Sequence, residues 1–232
     1  MAMLDTHNMK ALYRLQTWFS PSFPVGSYTY SHGLENAFEQ GFVQDVAQAV
    51  AWIGQIVKSG NGFADVVFVG LAHEAAGAGN AALLKQVAEY AGAFCGTREL
   101  RLESEAQGAA FLEIVQKIEE NPGLTLLQDC WNGPYSYPVT IGAAAGGPGI
   151  DRHATATAFL HSLVANLASA LVRIVPLGQS DGQRIIALLE ETVENAVKKA
   201  LATDLDNLAT STLMVDMTSM LHETQYTRLF RS

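Results

Sequence analysis

The sequence predicts an all-α fold, a single-domain bundle of about eight to ten helices closed by a C-terminal tail. Three observations carry this expectation. Apolar residues recur at helical spacing along almost the whole chain, no segment shows the regular alternation of a half-buried strand, and no Pro/Ser-rich linker divides the 232 residues. The spacing places a helical domain over residues 1–206 and a tail over 207–232 that is partly mobile until a partner orders it.

The first helix runs from Met9 to Phe19 and must stop at Ser20, because Pro21 and Pro24 each remove a backbone donor and push the preceding residue toward extended geometry. Ser20 to Glu35 is then a structured turn, with Gly26 and Gly33 at positions that tolerate unusual backbone angles. Ser31 is expected to cap the next helix, with Glu35 in its first turn facing the positive end of the dipole. Val46, Ala49, Val50, Ile53, Ile56 and Val57 form one apolar stripe. Residues 63–76 and the stripe Leu83, Leu84, Val87, Ala88 and Ala91 give two further helices, joined through Gly60–Gly62 and Gly77–Gly79.

A longer helix follows from Thr97 to about Glu120, ended by Asn121-Pro122-Gly123. Arg98, Glu99, Arg101, Glu103 and Glu105 crowd its first turns, which suits a solvated face with Arg101 and Glu105 paired at i, i+4. The same residues would also suit an arginine buried against a carboxylate or offered to a partner. Residues 131–150 form a second region of punctuation, with Trp131-Asn132-Gly133-Pro134 and Gly146-Gly147-Pro148-Gly149 bracketing Tyr135–Ala145. Asp151 fits as the cap of a long helix halted by Pro176 and Gly178. Ser180-Asp181-Gly182-Gln183 matches a capping box, from which a last long helix extends through Leu201.

Composition excludes several functions. A net charge of −9 without a basic cluster argues against nucleic acid and anionic membranes as partners. Asp5, His7 and Asn8 interrupt the apolar core that a signal peptide needs, and no stretch approaches the roughly 20 apolar residues of a membrane span, so a soluble cytoplasmic protein is expected. Cys95 and Cys130 lack CxxC spacing and suit two core thiols in a reducing compartment.

Ser31, His32 and Glu35 invite a hydrolase reading, but adjacent residues face different sides of a helix and the spacing does not support a triad. His153 and His161 stand about 12 Å apart along a helix axis and cannot share one ion. The remaining histidines are isolated in sequence, so neither a catalytic residue nor a metal site nor a cofactor is expected. The glycines near 146 lack the Lys-Ser/Thr of a phosphate-binding loop.

The tail differs in kind. Met214, Met217 and Met220 form a stripe at i, i+3 and i+6, and the chain closes on Tyr226, Arg228, Leu229, Phe230 and Arg231, residue types that dominate interface energies.

Four segments in order give the chain a family resemblance: Ser20–Glu35; Thr97-Arg-Glu-Leu-Arg101 with Gln107-Gly108; Arg173-Ile-Val-Pro-Leu-Gly-Gln179 with Gln183; and His222–Ser232. Together they resemble the urease accessory protein UreF family over nearly the whole length. Ser27 and His32 depart from it, standing where that family often has Gly and Gln. The resemblance implies a non-catalytic urease accessory protein, a scaffold in a UreD (or UreH)/UreF/UreG complex that supports nickel insertion into apo-urease. It also implies a homodimer. An alternative implication is regulation of GTP hydrolysis by the UreG GTPase, through an arginine such as Arg98, Arg101 or Arg173. Carried over by motif, Glu223, Gln225, Tyr226, Arg228, Leu229, Phe230 and Arg231 would bind the UreD-like partner, with the competing account of a tail folded on its own core. Tyr28, Arg173, Gln179 and Gln183 would receive the UreG-like partner.

Overall fold

A computed structural model describes residues 6–232, with side chains from Met9 onward. Asp5 and the side chains of His7 and Asn8 lie outside the described residues. Twelve α-helices and one 3-10 turn account for the regular structure, and no strand occurs among the described residues. The helices are α1 (Thr6–Trp18), α2 (Leu34–Glu39), α3 (Val46–Ser59), α4 (Asn61–Gly77), α5 (Ala81–Phe94) and α6 (Arg98–Ile118). They continue as α7 (Pro122–Cys130), α8 (Tyr137–Gly146), α9 (Arg152–Ile174), α10 (Gln179–Leu188), α11 (Glu190–Leu201) and α12 (Leu213–His222). The count exceeds the expected eight to ten because α2 and α7 are short and because two segments resolve differently from their sequence patterns.

Polar caps explain where most helices begin. Asp45, Asn80, Thr97, Asn121 and Asp151 each accept a hydrogen bond from the backbone N–H three residues on, which satisfies one of the donors that a helix N-terminus leaves free. Asn121 thus begins α7, with Pro122 in its first turn, besides following the end of α6. The Ser180 box is not formed. Gly178 is the N-cap of α10, and Asp181 Oδ2 accepts from its N–H at 2.9 Å, which leaves Gln183 exposed and without a capping role. Leu189 then divides the expected long helix into α10 and α11.

The centre of the bundle is the pair α4 and α8. The sequence reads 131–150 as a region of punctuation and assigns no element between its two turn motifs, yet α8 lies there and every residue from Pro138 to Gly146 is buried. A helix apolar on all sides has no 3.6-residue stripe to recognise, and its small residues imitate a loop. Gly142 and Gly146 bring its backbone against the Val69 and His73 carbonyls of α4, where a methyl group would collide. α3, α5, α9 and α11 pack on α4 from other directions, and a connected apolar core runs through them. α9 is 23 residues long and apolar enough in length and composition to cross a membrane, but half of its apolar stretch is buried within the protein. It is a bundle helix instead, in contact with α3, α4, α8, α10 and α11.

At one side of the bundle α2 and α12 cross closely. Gly33, at φ 75°, caps α2, and a side chain there would strike the Ser219 backbone of α12. Ser31 is therefore not the cap. Its N–H and hydroxyl both donate to the Ser232 carbonyl oxygen.

Candidate functional site: a docked tail over buried carboxylates

Three carboxylates organise the region where α2, α6, α12 and the tail meet. Glu99 and Glu103 occupy successive turns of α6 and continue, through Gln107 and Phe111, a buried stripe at i, i+4, i+8 and i+12. The expected solvated face is present only in part, since Arg98 and Arg101 are exposed while Glu99 and Glu103 point inward. Glu35 reaches the same region from the first turn of α2.

His222, fully buried at the end of α12, bridges two of them. Its Nδ1 lies 2.8 Å from Glu99 Oε2 and its Nε2 3.3 Å from Glu35 Oε2. The tail satisfies the remaining oxygens. Leu229 N–H donates to Glu35 Oε1 at 2.7 Å, Phe230 N–H to Glu35 Oε2 at 3.0 Å, and Arg228 Nη1 to Glu99 Oε1 at 3.1 Å. Ser232 Oγ donates to Glu103 Oε2 at 2.9 Å, and Arg231 N–H donates to the Thr29 carbonyl. Buried carboxylates are tolerated only when such donors surround them, so the tail and the carboxylates depend on each other.

On the far side of Glu103, His32 Nε2 lies 2.9 Å from Oε1, and Gln107 Nε2 donates to the same oxygen. Asn61 Nδ2 lies 3.0 Å from His32 Nδ1, so a protein group faces each ring nitrogen. Burial alone would push the imidazole down, but the charge and hydrogen bond of Glu103, with the charge of Asp65, hold it above its ordinary value. Burial pushes the Asp65 carboxyl up to about 7, against the attraction of His32. Burial likewise raises the Cys95 thiol to about 12, which keeps it a poor nucleophile and metal ligand at neutral pH. Both nitrogens of His32 and of His222 are engaged by protein groups. Among the described residues no three His, Cys, Asp or Glu side chains converge as a metal-ligand set.

The expected partner residues fall into two adjoining groups. In the tail, Tyr226, Arg228, Leu229 and Arg231 are exposed, Glu223 and Gln225 are half-buried, and Phe230 retains only 4% of its surface. Gln225 accepts from Asn36 through its Oε1. Phe230 is thus an internal anchor of the tail, packed under the Arg173 guanidinium at 4.5 Å from ring centroid to Cζ. Arg173 Nη1 also donates to the Tyr28 carbonyl at 3.0 Å, while the Tyr28 ring remains 65% exposed. Gln179 and Gln183 are exposed on α10, which packs beside α9. Arg173 therefore joins the two groups, which sequence reasoning had kept apart. Sequence reasoning missed the carboxylates. The available signal was the i, i+4 spacing of Glu99, Glu103, Gln107 and Phe111, which puts charge and core on one stripe.

The sequence profile of the UreF family matches residues 43–190. The chain belongs to the UreF family. Full-length relatives agree. It is 46% identical over 229 residues to the urease accessory protein UreF of Rhodopseudomonas palustris strain HaA2, covering 99% of this chain and 97% of that protein. The UreF of Rhodopseudomonas palustris strain BisB5 is 45% identical over 231 residues, covering 100% and 95%. That of Bradyrhizobium diazoefficiens strain USDA 110 is 43% identical over 229 residues, covering 99% and 95%. The profile alone stops short of the Ser20–Glu35 turn and the tail, whereas these alignments extend over nearly the whole chain.

Proposed function

We propose that this UreF-family chain is a non-catalytic accessory protein of urease maturation, a scaffold that holds a UreD/UreH-like protein and a UreG-like GTPase together while nickel enters apo-urease. The reading extends to a cytoplasmic homodimer. The observation that carries it is the division of labour in the tail. Its backbone and Phe230 are spent on holding the tail to the bundle, while Tyr226, Leu229 and Arg231 face outward as apolar and charged anchors. In this reading the outward residues, with Glu223, Gln225 and Arg228, meet the UreD-like partner, and Tyr28, Arg173, Gln179 and Gln183 meet the UreG-like one. Residues 207–232 then act as one docking segment on the domain of residues 1–206. Arg173 is tied to Tyr28 and Phe230, which disfavours its use as an arginine finger and favours scaffolding over direct stimulation of GTP hydrolysis.

The test is co-purification with the UreD-like and UreG-like partners, comparing wild type with Leu229→Ala and with a chain ending after Thr224. Loss of the complex by a Leu229→Ala protein of unchanged melting temperature supports the reading. Retention of the complex by the shortened chain would overturn it.

A further inference from the structure

A cavity of about 330 Å³ lies between α1, α4, α5, α6, α8 and α9, a volume within the range of small-molecule sites. Its walls are largely aromatic, from Trp18, Phe19, Phe68, Phe94, Tyr137 and Phe159. Several polar side chains on this lining make no hydrogen bond among the described residues, the buried Ser136 hydroxyl among them, and two of the others bear on a ligand. One is the carboxyl of Asp65, a half-buried residue of α4 on the cavity wall. The other is the Tyr137 hydroxyl at the start of α8, whose proton burial holds more tightly than usual. Polar groups on a largely aromatic wall are normally paired, and these two offer unfilled acceptors to whatever enters the cavity. The neighbouring Glu103 differs, since His32, Gln107 and Ser232 already surround it.

We propose that this cavity binds a small organic cation, an arylalkyl ammonium whose ring lies among the aromatic side chains and whose N–H groups donate to Asp65 and Tyr137. Each part of the site matches one part of such a ligand. An ammonium supplies the hydrogen-bond donors that Asp65 lacks and adds its charge to that of His32, which also lines the cavity, and the Tyr137 hydroxyl oxygen accepts a further N–H. The electron-rich ring faces favour the cation, and the apolar remainder is desolvated by the walls. Binding ionises Asp65, because an adjacent positive charge favours the carboxylate. This inference stands apart from the scaffold reading, since it concerns the bundle interior and needs no partner protein.

The experiment is calorimetric titration of the full chain at pH 7 with 2-phenylethylammonium and with its neutral analogue 2-phenylethanol. The ammonium should bind roughly tenfold or more tightly than the alcohol, as expected for a hydrogen bond to a charged group. It should release protons to buffer in proportion to the un-ionised fraction of Asp65. Asp65→Asn should remove both the preference and the proton release while leaving binding of the alcohol in place, and Tyr137→Phe should weaken the ammonium alone. Equal affinity for the two compounds, binding of neither, or an ammonium preference that survives in Asp65→Asn would each overturn the proposal. Thermal unfolding of both variants distinguishes a lost site from a lost fold.

Discussion

At the scale of single residues, the chain concentrates its electrostatic cost in a few positions. Asp65 is the clearest. Its carboxyl titrates near 7 in the fold against 3.8 as its ordinary value, because burial disfavours the charge more than His32 restores it. A raised folded value means that Asp65 favours the native state fully below the unfolded value. That contribution is lost as pH rises through about 7, to a limit of roughly 4 kcal/mol. Asp65→Asn removes the titration without removing volume. Melting temperatures at pH 4 should therefore agree within a degree or two between wild type and variant, whereas at pH 8 the variant should melt several degrees higher. A variant that melts lower at pH 8 would show that the ionised carboxylate is already compensated inside the fold.

At the scale of elements, the pair α4 and α8 shows which parts of the fold could be read in advance. Segments with one wet and one dry face, such as α3 and α9, carry their periodicity openly, and Asp45 and Asp151 mark their first turns. α8 has no wet face, so the pattern vanished where burial is most complete. Likewise Glu99 and Glu103 look like surface charge until α12 and the tail are laid over them, and no local rule reports that covering. The outward positions in the tail were legible because Tyr, Arg and Leu are unusual in a terminal segment. The inward turn of Phe230 depends on Arg173, fifty-seven positions away in the chain. The close approach of α8 to α4 also sets a strict size limit. Gly146→Ala should drive a methyl group into the His73 carbonyl and force the helices apart, with a loss of about 1–3 kcal/mol or more in denaturant titrations. Gly92, with open space around it, is the matched control, and Gly92→Ala should be neutral or slightly stabilising.

At the scale of the whole molecule, the buried polar network ties segments remote in sequence into one unit. Glu35 on α2 holds the amides of Leu229 and Phe230, and His222 ties α12 to α2 and α6. The sequence reading is of a tail partly mobile until a partner binds, whereas these bonds hold the tail on its own bundle. Hydrogen exchange separates the two. The Leu229 and Phe230 amides should be protected in wild type and exchange at least tenfold faster in Glu35→Ala, with protection in α4 unchanged. Fast exchange of both amides in wild type would support the partly mobile tail of the sequence reading.

The span of this network also bears on synthesis. The bonds from His222 to Glu99 and to Glu35 join residues 123 and 187 positions apart, and the Ser31 hydroxyl reaches 201 positions along the chain. A polypeptide leaving the ribosome from its N-terminus therefore presents Glu35 and Glu99 long before His222, Arg228 and the Leu229 and Phe230 amides emerge, whereas His32 and Gln107 reach Glu103 early. Glu35 and Glu99 stay hydrated, and the seam between α2 and α6 stays open, until the last helix is released. Closure of this seam waits for α12 and the tail, by which time the helices of the apolar core are already synthesised.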